Sequence, residues 1–257
     1  MSVDYNDPEL IRRAKDLAAG PLGDQLSKFP MRFAAGVFIG PTRRSLPLKP
    51  NNGTATLLRL DGRPLAVTCA HVVRNFRERP PASEPGFWIG SLQIDPLERL
   101  LSHNSDLDLA VLDLTGLDLS AISDHEIGSS FVVPFEWPSQ RVKVGDFICF
   151  GGFPGVWREH RHNDEVVFQS FSVGASEVTA VGEDYMVCQL DREYWVGSRG
   201  KRGLDLHEFG GMSGGPALIW RGLRADLAGF IYEYSDTLDL LYIRSAHVLA
   251  LDGSLAS

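Results

Sequence analysis

The chain has few cysteines, no long apolar run and no leader-like start. Only three of its 257 residues are cysteines (Cys69, Cys149 and Cys188), and their spacing fits no disulfide framework. We therefore interpret them as free thiols of a protein in a reducing compartment. No stretch approaches the roughly 20 apolar residues that span a bilayer, and residues 1–7 lack the basic and apolar regions of a secretory signal. The sequence predicts a cytoplasmic protein with no membrane partner.

An excess of positive charge is also missing. The 33 acidic residues outnumber the 25 basic ones, so the formal net charge is −8. Because nucleic acids attract basic surfaces, we expect no nucleic-acid partner. The one short basic run, at Arg199, Lys201 and Arg202, is interpreted as a solvated loop. No signal for an oligomeric state is evident.

Glycine and proline are plentiful, with 26 and 15 residues, and they lie between short apolar runs. This pattern is typical of short strands joined by turns, and the Asp61-Gly62 pair between two such runs predicts a β-hairpin. Helices do not alternate with strands, which disfavours a doubly wound α/β sheet. The length and the 44% hydrophobic content suffice for one large all-β unit or two small ones.

Helical patterns are confined to the two ends. Residues 7–20 predict a helix with Asp7 as cap and Gly20 as stop, and 245–251 predict a short closing helix. Residues 115–130 predict a linker between two β halves. We expect an N-terminal helical extension (1–30), a first β unit (31–128) and a second (129–257).

The strongest chemical signal is Gly-Met-Ser-Gly-Gly-Pro at 211–216. A nucleophilic serine needs exposure, a nearby base and donors for the oxyanion that forms. Glycines permit backbone conformations that turn N–H groups toward a substrate carbonyl. We assign the donors to the N–H groups of Gly211 and Ser213; a glycine-rich turn with an incidental serine is the plainer alternative.

Two further segments offer a base and an acid. Residues 66–73, Ala-Val-Thr-Cys-Ala-His-Val-Val, place His71 at the end of an apolar strand. Residues 106–112, Asp-Leu-Asp-Leu-Ala-Val-Leu, place Asp108 on a largely apolar face, where a carboxylate needs a partner. Alternation leaves the choice open, because Asp106 shares that face and Asp113 lies nearby.

These three segments resemble the trypsin/chymotrypsin-like serine peptidases. Thr68 to His71 is similar to the family's Thr-Ala-Ala-His, the segment from Asp108 to its Asp-Ile/Leu-Ala-Leu/Val-Leu, and 211–216 to its Gly-Asp/Asn-Ser-Gly-Gly-Pro. The order His, Asp, Ser also matches. The resemblance implies two packed antiparallel β-barrels and a peptidase without cofactor, with Ser213 as nucleophile, His71 as base and Asp108 as its orienter. The substrate is a protein or peptide.

Weaker similarities and departures refine this expectation. Residues 142–146 and 150–155 resemble bacterial, intracellular-style HtrA-type members, although the sequence leaves no room for their usual PDZ domain. Met212 stands where activated digestive members have an aspartate that pairs with a new N-terminal amine. The sequence therefore predicts activity without N-terminal cleavage.

The resemblance also suggests substrate-binding residues. It implies His207 at the base of the primary pocket, Tyr232, Glu233 and Tyr234 along its wall, and Leu240 opposite. Bulky residues in place of the family's glycines at 234 and 240 predict a shallow pocket for a small, uncharged side chain. A register shift of one residue would instead turn Glu233 inward and favour a basic residue.

Other interpretations fit less well. Gly-x-Ser-x-Gly at 211–215 also satisfies the α/β-hydrolase elbow, with Asp239 and His247 as partners, but too little chain follows for that fold. Glu159, His160, His162 and Asp164 have metal-ligand spacing, yet their charged surroundings indicate a solvated hairpin, and no metal is expected. The rival in another class is a trypsin-like fold that binds peptides as a scaffold with little turnover.

Overall fold

The protein is described by a computed structural model that covers residues 8–18, 20–42, 51–80, 84–122, 130–161, 165–190 and 209–256. Its helices are α1 (Pro8–Ala18), α2 (Pro21–Lys28) and α3 (Ala70–Arg77). None of them is long and apolar enough to cross a membrane within the described ranges. The remaining regular structure is β, which confirms the predicted all-β class.

The first unit is a seven-stranded antiparallel sheet with the strand order β5-β4-β1-β2-β3-β7-β6. Its strands are β1 (Ala34–Pro41), β2 (Asn51–Leu60), β3 (Arg63–Cys69), β4 (Pro85–Ile89), β5 (Leu92–Ile94), β6 (Leu100–Asn104) and β7 (Leu109–Asp113). Asp61 and Gly62 both have positive φ and join β2 to β3, as the hairpin signal predicts. The sheet curls around one buried cluster that draws on six of its strands and on α3.

The second unit is a closed six-stranded barrel with the order β11-β12-β15-β14-β13-β8. Its strands are β8 (Phe147–Gly152), β11 (Phe171–Val181), β12 (Tyr185–Gln189), β13 (Pro216–Arg221), β14 (Arg224–Ser235) and β15 (Leu240–Ser245). A separate two-stranded ribbon consists of β9 (Arg158–Arg161) and β10 (Glu165–Phe168). Bulges in β11 and β14 supply the bends that closure of a small barrel needs.

The two units pack through a third apolar cluster. Outward-facing residues of β2, β3 and β7, such as Leu58 and Val67, meet residues of β13 and β14, such as Leu218 and Phe230, all of them almost fully buried. Burial of a leucine or phenylalanine stabilises by about 1.5–3 kcal/mol, so this contact fixes one unit against the other. The functional residues lie where β2, β3 and the barrel meet.

The chain ends differ from expectation in detail. Helix α1 is confirmed, but the chain then forms a second helix, α2, which packs on β11. A 3-10 helix at Phe29–Phe33 follows and buries Met31 against Ala34 and Phe153. The predicted closing helix is a single 3-10 turn at Ala246–Val248, because Leu249 is extended and bridges to Leu255.

Other segments depart from the predicted pattern because of local turns. The strand predicted over 87–94 is a hairpin, since Gly90 adopts a positive φ between β4 and β5. The boundary predicted at 128/129 lies outside the described residues, as do His162 and Asp164 of the charged hairpin.

Candidate active site

His71 lies in the first turn of α3, directly after β3 ends at Cys69. The helix has no side-chain cap of its own. Instead, Asp108 supplies two acceptors: its carbonyl accepts from the Ala70 N–H at 3.0 Å and its Oδ1 from the His71 N–H at 2.9 Å. The first N–H groups of a helix need such partners and favour a negative charge. Asp108 thereby fixes the backbone that carries the imidazole.

Asp108 also binds the imidazole itself. Its Oδ2 lies 2.6 Å from His71 Nδ1, and both side chains are about one-quarter to one-third exposed, 25% and 32%. The residue has φ +54° and sits in the turn that precedes β7, not inside the strand predicted over 108–114. A positive φ is uncommon outside glycine and marks a conformation that the surrounding contacts impose.

The other two candidate aspartates, Asp106 and Asp113, do not pair with His71. Asp106 is exposed, and Asp113 pairs with Arg63 at 2.5 Å on the far end of β7. The alternation pattern left three candidates open, and the geometry brings Asp108 to His71.

Opposing effects set the pKa of Asp108. Burial raises it, but the hydrogen bonds and the charge of His71 lower it by more, and the charge of Arg74 lowers it further. The net result is a pKa below the ordinary value, so the carboxylate is ionised at neutral pH. An ionised Oδ2 accepts the Nδ1–H of His71, which leaves Nε2 as a proton acceptor.

Ser213 lies on a turn whose glycines have no substitute. Gly211 has φ +101° and Gly214 has φ +92°. A Cβ at Gly211 would lie 2.7 Å from the Phe153 carbonyl oxygen, and one at Gly214 would lie 2.7 Å from the Thr68 Cα. Both the backbone conformation and the close approach therefore require glycine.

Two threonines of β2 hold this turn, and sequence reasoning missed both. The Thr54 hydroxyl accepts from the Phe153 N–H at 3.0 Å and donates to the Gly211 carbonyl at 2.7 Å. The Thr54 N–H donates to the Ser213 carbonyl at 3.0 Å, and the Thr56 hydroxyl donates to the Gly214 carbonyl at 2.7 Å. One candidate sequence signal is that Thr54 and Thr56 alternate with Gly53, Ala55 and Leu57 in the middle of β2; both threonines are fully buried.

Two backbone N–H groups of the serine turn, those of Gly211 and Ser213, have no hydrogen-bond acceptor among the described residues. Met212 between them is fully buried in the core of the barrel, which anchors the turn from the other side. Two free donors beside a serine are what an oxyanion requires.

Ser213 and His71 line one cavity of about 480 Å³, together with Gly210, Gly211, Asn52 and Arg158 among others. In this cavity, no hydrogen bond of 3.5 Å or less joins the Ser213 hydroxyl to His71. Bonds between nucleophile and base are often long in a free enzyme and shorten when substrate binds.

Cys69 lies beneath the site. Its sulfur and the ligand atoms of His71 and Asp108 are within 4.8 Å of one another, and its thiol donates to the Ile231 carbonyl at 3.4 Å. Burial and the Asp108 carboxylate raise the pKa of the Cys69 thiol well above its ordinary value, and hydrogen bonds from Gly214 and Ser213 offset this only in part. A protonated, buried thiol is not a nucleophile. Ser213 is the candidate that reaches the cavity.

The residues predicted for substrate binding are not among the described residues that line this cavity. His207 falls outside the described residues. Tyr232, Glu233, Tyr234 and Leu240 do not line the cavity that contains Ser213. Their role in specificity stays a prediction.

The bulge between Ile231 and Glu233 determines on which side of β14 each of the following side chains lies. Tyr234 turns inward, with its ring 4.2 Å from that of Phe209 and its hydroxyl 2.6 Å from Asp239 Oδ1. Glu233 is exposed. Tyr234 thus packs toward the barrel core and Glu233 faces outward, and the two alternatives for the pocket stay predictions.

Comparison with known proteins gives only distant similarities. No protein-family model matches the chain, and no curated protein matches it. It is similar to the crystal structure of the active form of the Rv3671c protease from M. tuberculosis, with 16% identity over 96% of this chain and 85% of that one and a TM-score of 0.47. It is also similar to a thermostable serine protease, AL20, from an extremophilic microorganism, with 12% identity over 83% and 91% and a TM-score of 0.47. Because these identities and TM-scores are low, any inference about chemistry depends on the side-chain geometry described above.

Proposed function

We propose that the protein is a serine endopeptidase with Ser213 as nucleophile, His71 as general base and Asp108 as the residue that orients it. The observation that carries the proposal is the 2.6 Å contact between Asp108 Oδ2 and His71 Nδ1 at the edge of the cavity that Ser213 lines. A carboxylate, an imidazole and a serine in this relation form the acyl-transfer constellation.

In the proposed reaction, the Ser213 oxygen attacks a peptide carbonyl while His71 Nε2 takes the hydroxyl proton. The negative oxygen of the tetrahedral intermediate accepts hydrogen bonds from the N–H groups of Gly211 and Ser213, each worth on the order of 3 kcal/mol. His71 returns the proton to the leaving amine, and the C–N bond breaks. Water then attacks the acyl ester by the same steps, which releases the acid and restores Ser213. The proposal involves no cofactor.

We further propose that the enzyme is competent without N-terminal processing and acts in the cytoplasm. The loop tethers from Thr54 and Thr56 support the first part, because they hold the serine turn without any terminal amine. Three buried, unpaired cysteines are consistent with a reducing compartment. The HtrA-type assignment within the family is part of the proposal and rests on the segments 142–146 and 150–155.

Hydrolysis of unfolded casein tests the proposal. Wild type should release new amino termini, and Ser213→Ala and His71→Ala should each abolish this, with the double variant scarcely worse, because the residues act as a unit. Ser120→Ala removes an exposed serine away from the cavity and serves as control. Peptide binding by wild type with no hydrolysis would instead favour the scaffold function.

A further inference from the structure

Beyond Ser213 and His71, the walls of the cavity are polar. Asn51 and Asn52 from β2, Asn75 from α3 and Arg158 from β9 line it, and none of the described lining residues is a carboxylate. One guanidinium and three amides thus surround the space next to the nucleophile. Such a set offers hydrogen-bond donors in excess and one positive charge.

The guanidinium of Arg158 is held in place by a neutral side chain, and no carboxylate of the described residues neutralises it. Its Nη1 donates to Asn52 Oδ1 at 3.2 Å, and Asn52 is fixed in turn because its Nδ2 donates to the Phe153 carbonyl at 3.1 Å. The Nε of Arg158 is buried and has no hydrogen-bond partner among the described residues, and no described carboxylate pairs with the side chain. Burial lowers the pKa of Arg158, and a guanidinium keeps its proton at neutral pH. A half-buried cation with no counter-ion among the described residues is costly, and a carboxylate ligand would relieve that cost.

The position of this group relative to Ser213 indicates which part of a substrate it meets. His71 must protonate the leaving amine, so the leaving-group side of the peptide passes along His71. The wall continues from His71 to Asn75 on the same helix and to Asn52 and Arg158. The residues predicted for the acyl side, Tyr232 to Tyr234, line none of it. The cavity therefore faces the residues that follow the scissile bond.

We propose that this cavity is a carboxylate subsite on the leaving-group side, in which Arg158, positioned by Asn52, binds an acidic group one or two residues after the scissile bond. The inference deepens the proposed function and rests on it. The acidic group is either an Asp or Glu side chain or the terminal carboxylate of a short peptide, since guanidinium binds both in the same fork geometry.

Matched substrates test the preference. Two kinds of peptide pair are built around a cleavage site found in casein. The members of the first kind differ only in carrying Glu or Gln at the first or second position after that site. The members of the second kind end at one of these two positions, one as a free carboxylate and the other as an amide, which separates the two sources of the acidic group. We expect the acidic member of one pair to have a kcat/KM about tenfold higher, typical of a charge-assisted hydrogen bond. That preference should vanish in Arg158→Gln and persist in part in Arg158→Lys.

A binding measurement keeps the inference separate from catalysis. Ala-Glu-Ala-amide with Ala-Gln-Ala-amide, and Ala-Ala with a free carboxylate with Ala-Ala-amide, should be titrated calorimetrically as matched pairs into Ser213→Ala protein. We expect one acidic peptide to bind about tenfold more tightly than the neutral one, and the difference to disappear when Arg158→Gln is added. Arg12→Gln removes the same charge at an exposed site of α1 and should keep the difference.

The outcomes distinguish the two proposals. Equal affinities for acidic and neutral peptides, in a protein with an unchanged melting temperature, would overturn the carboxylate subsite even if casein is hydrolysed. An acid preference that depends on Arg158, in a protein that hydrolyses nothing, would support the subsite and contradict the peptidase. A preference that survives Arg158→Gln would assign it to another group and overturn the inference.

Discussion

Thr54→Val should damage both stability and turnover, because one hydroxyl holds the serine turn. Valine has nearly the same shape as threonine, so the substitution removes the hydroxyl and little else. The Phe153 N–H and the Gly211 carbonyl would each lose their partner, the hydroxyl of the fully buried Thr54. A buried backbone group without a partner costs about 1–3 kcal/mol. We expect the free energy of unfolding to fall by about 2–4 kcal/mol.

The effect on reactivity follows from the position of Gly211. Its N–H is a proposed oxyanion donor, and removal of one such donor costs about 10²–10³ in rate. Loosening the loop should cost less than losing the donor, so we expect the rate of labelling by a fluorophosphonate probe to fall by about 10- to 100-fold. The assay is the pseudo-first-order labelling rate per folded molecule, measured well below the melting temperature.

Two control variants isolate the hydroxyl. Thr54→Ser keeps it and should label at close to the wild-type rate. Thr68→Val removes an equally buried hydroxyl that donates to the Thr54 carbonyl at 2.7 Å and not to the serine turn. It should lower stability but leave most of the labelling rate. If Thr54→Val labelled as fast as wild type, the threonine would not position the oxyanion loop.

The remaining predictions concern charge, thiols and specificity. Asp108→Asn should lower kcat/KM for amide hydrolysis by about 10⁴-fold through the wrong histidine tautomer, whereas a strong loss in Asp106→Asn and a mild one here would refute the assignment. Burial raises the pKa of Asp113, but the hydrogen bonds from Arg63 and Thr115 and the charge of Arg63 together lower it by more, from 3.8 to about 2. The contribution of this carboxylate to stability is therefore present above about pH 4 and is lost as the pH falls to 2. Urea unfolding of Asp113→Asn should accordingly differ from wild type at pH 6 and converge with it near pH 2, and a constant difference would refute this. Thiol titration of the unfolded protein should find three free cysteines, and finding one would show a disulfide. Inward-facing Tyr234 predicts cleavage after small, uncharged residues, which predominant cleavage after Lys or Arg in a peptide library would contradict.

The residues of the proposed triad could be selected from the sequence because each lies in a short contiguous motif. His71 follows the end of an apolar strand, and Ser213 lies between glycines whose backbone has a positive φ. Asp108 was selected by family resemblance, since the alternation pattern alone could not exclude Asp106 or Asp113. The pattern failed there because Asp108 belongs to a turn with a positive φ, outside the period of the strand.

The tethers and the cavity walls were not predictable from local pattern. Thr54 meets Gly211 across 157 residues of sequence, and only the packing of β2 on the barrel brings them together. Arg158 was interpreted as part of a solvated, charged hairpin, but β9 begins at this residue and turns its side chain to Asn52. Contacts between the two β units depend on their docking, which no single segment encodes.

The most direct test of the central claim is the site of covalent labelling by a fluorophosphonate probe in the unprocessed, N-terminally tagged protein. Peptide mapping by mass spectrometry should place the probe on Ser213 alone, with no adduct in Ser213→Ala and strongly slowed labelling in His71→Ala. A folded wild-type protein that takes up no probe, that is labelled at another residue, or that reacts only after proteolytic trimming would contradict the account.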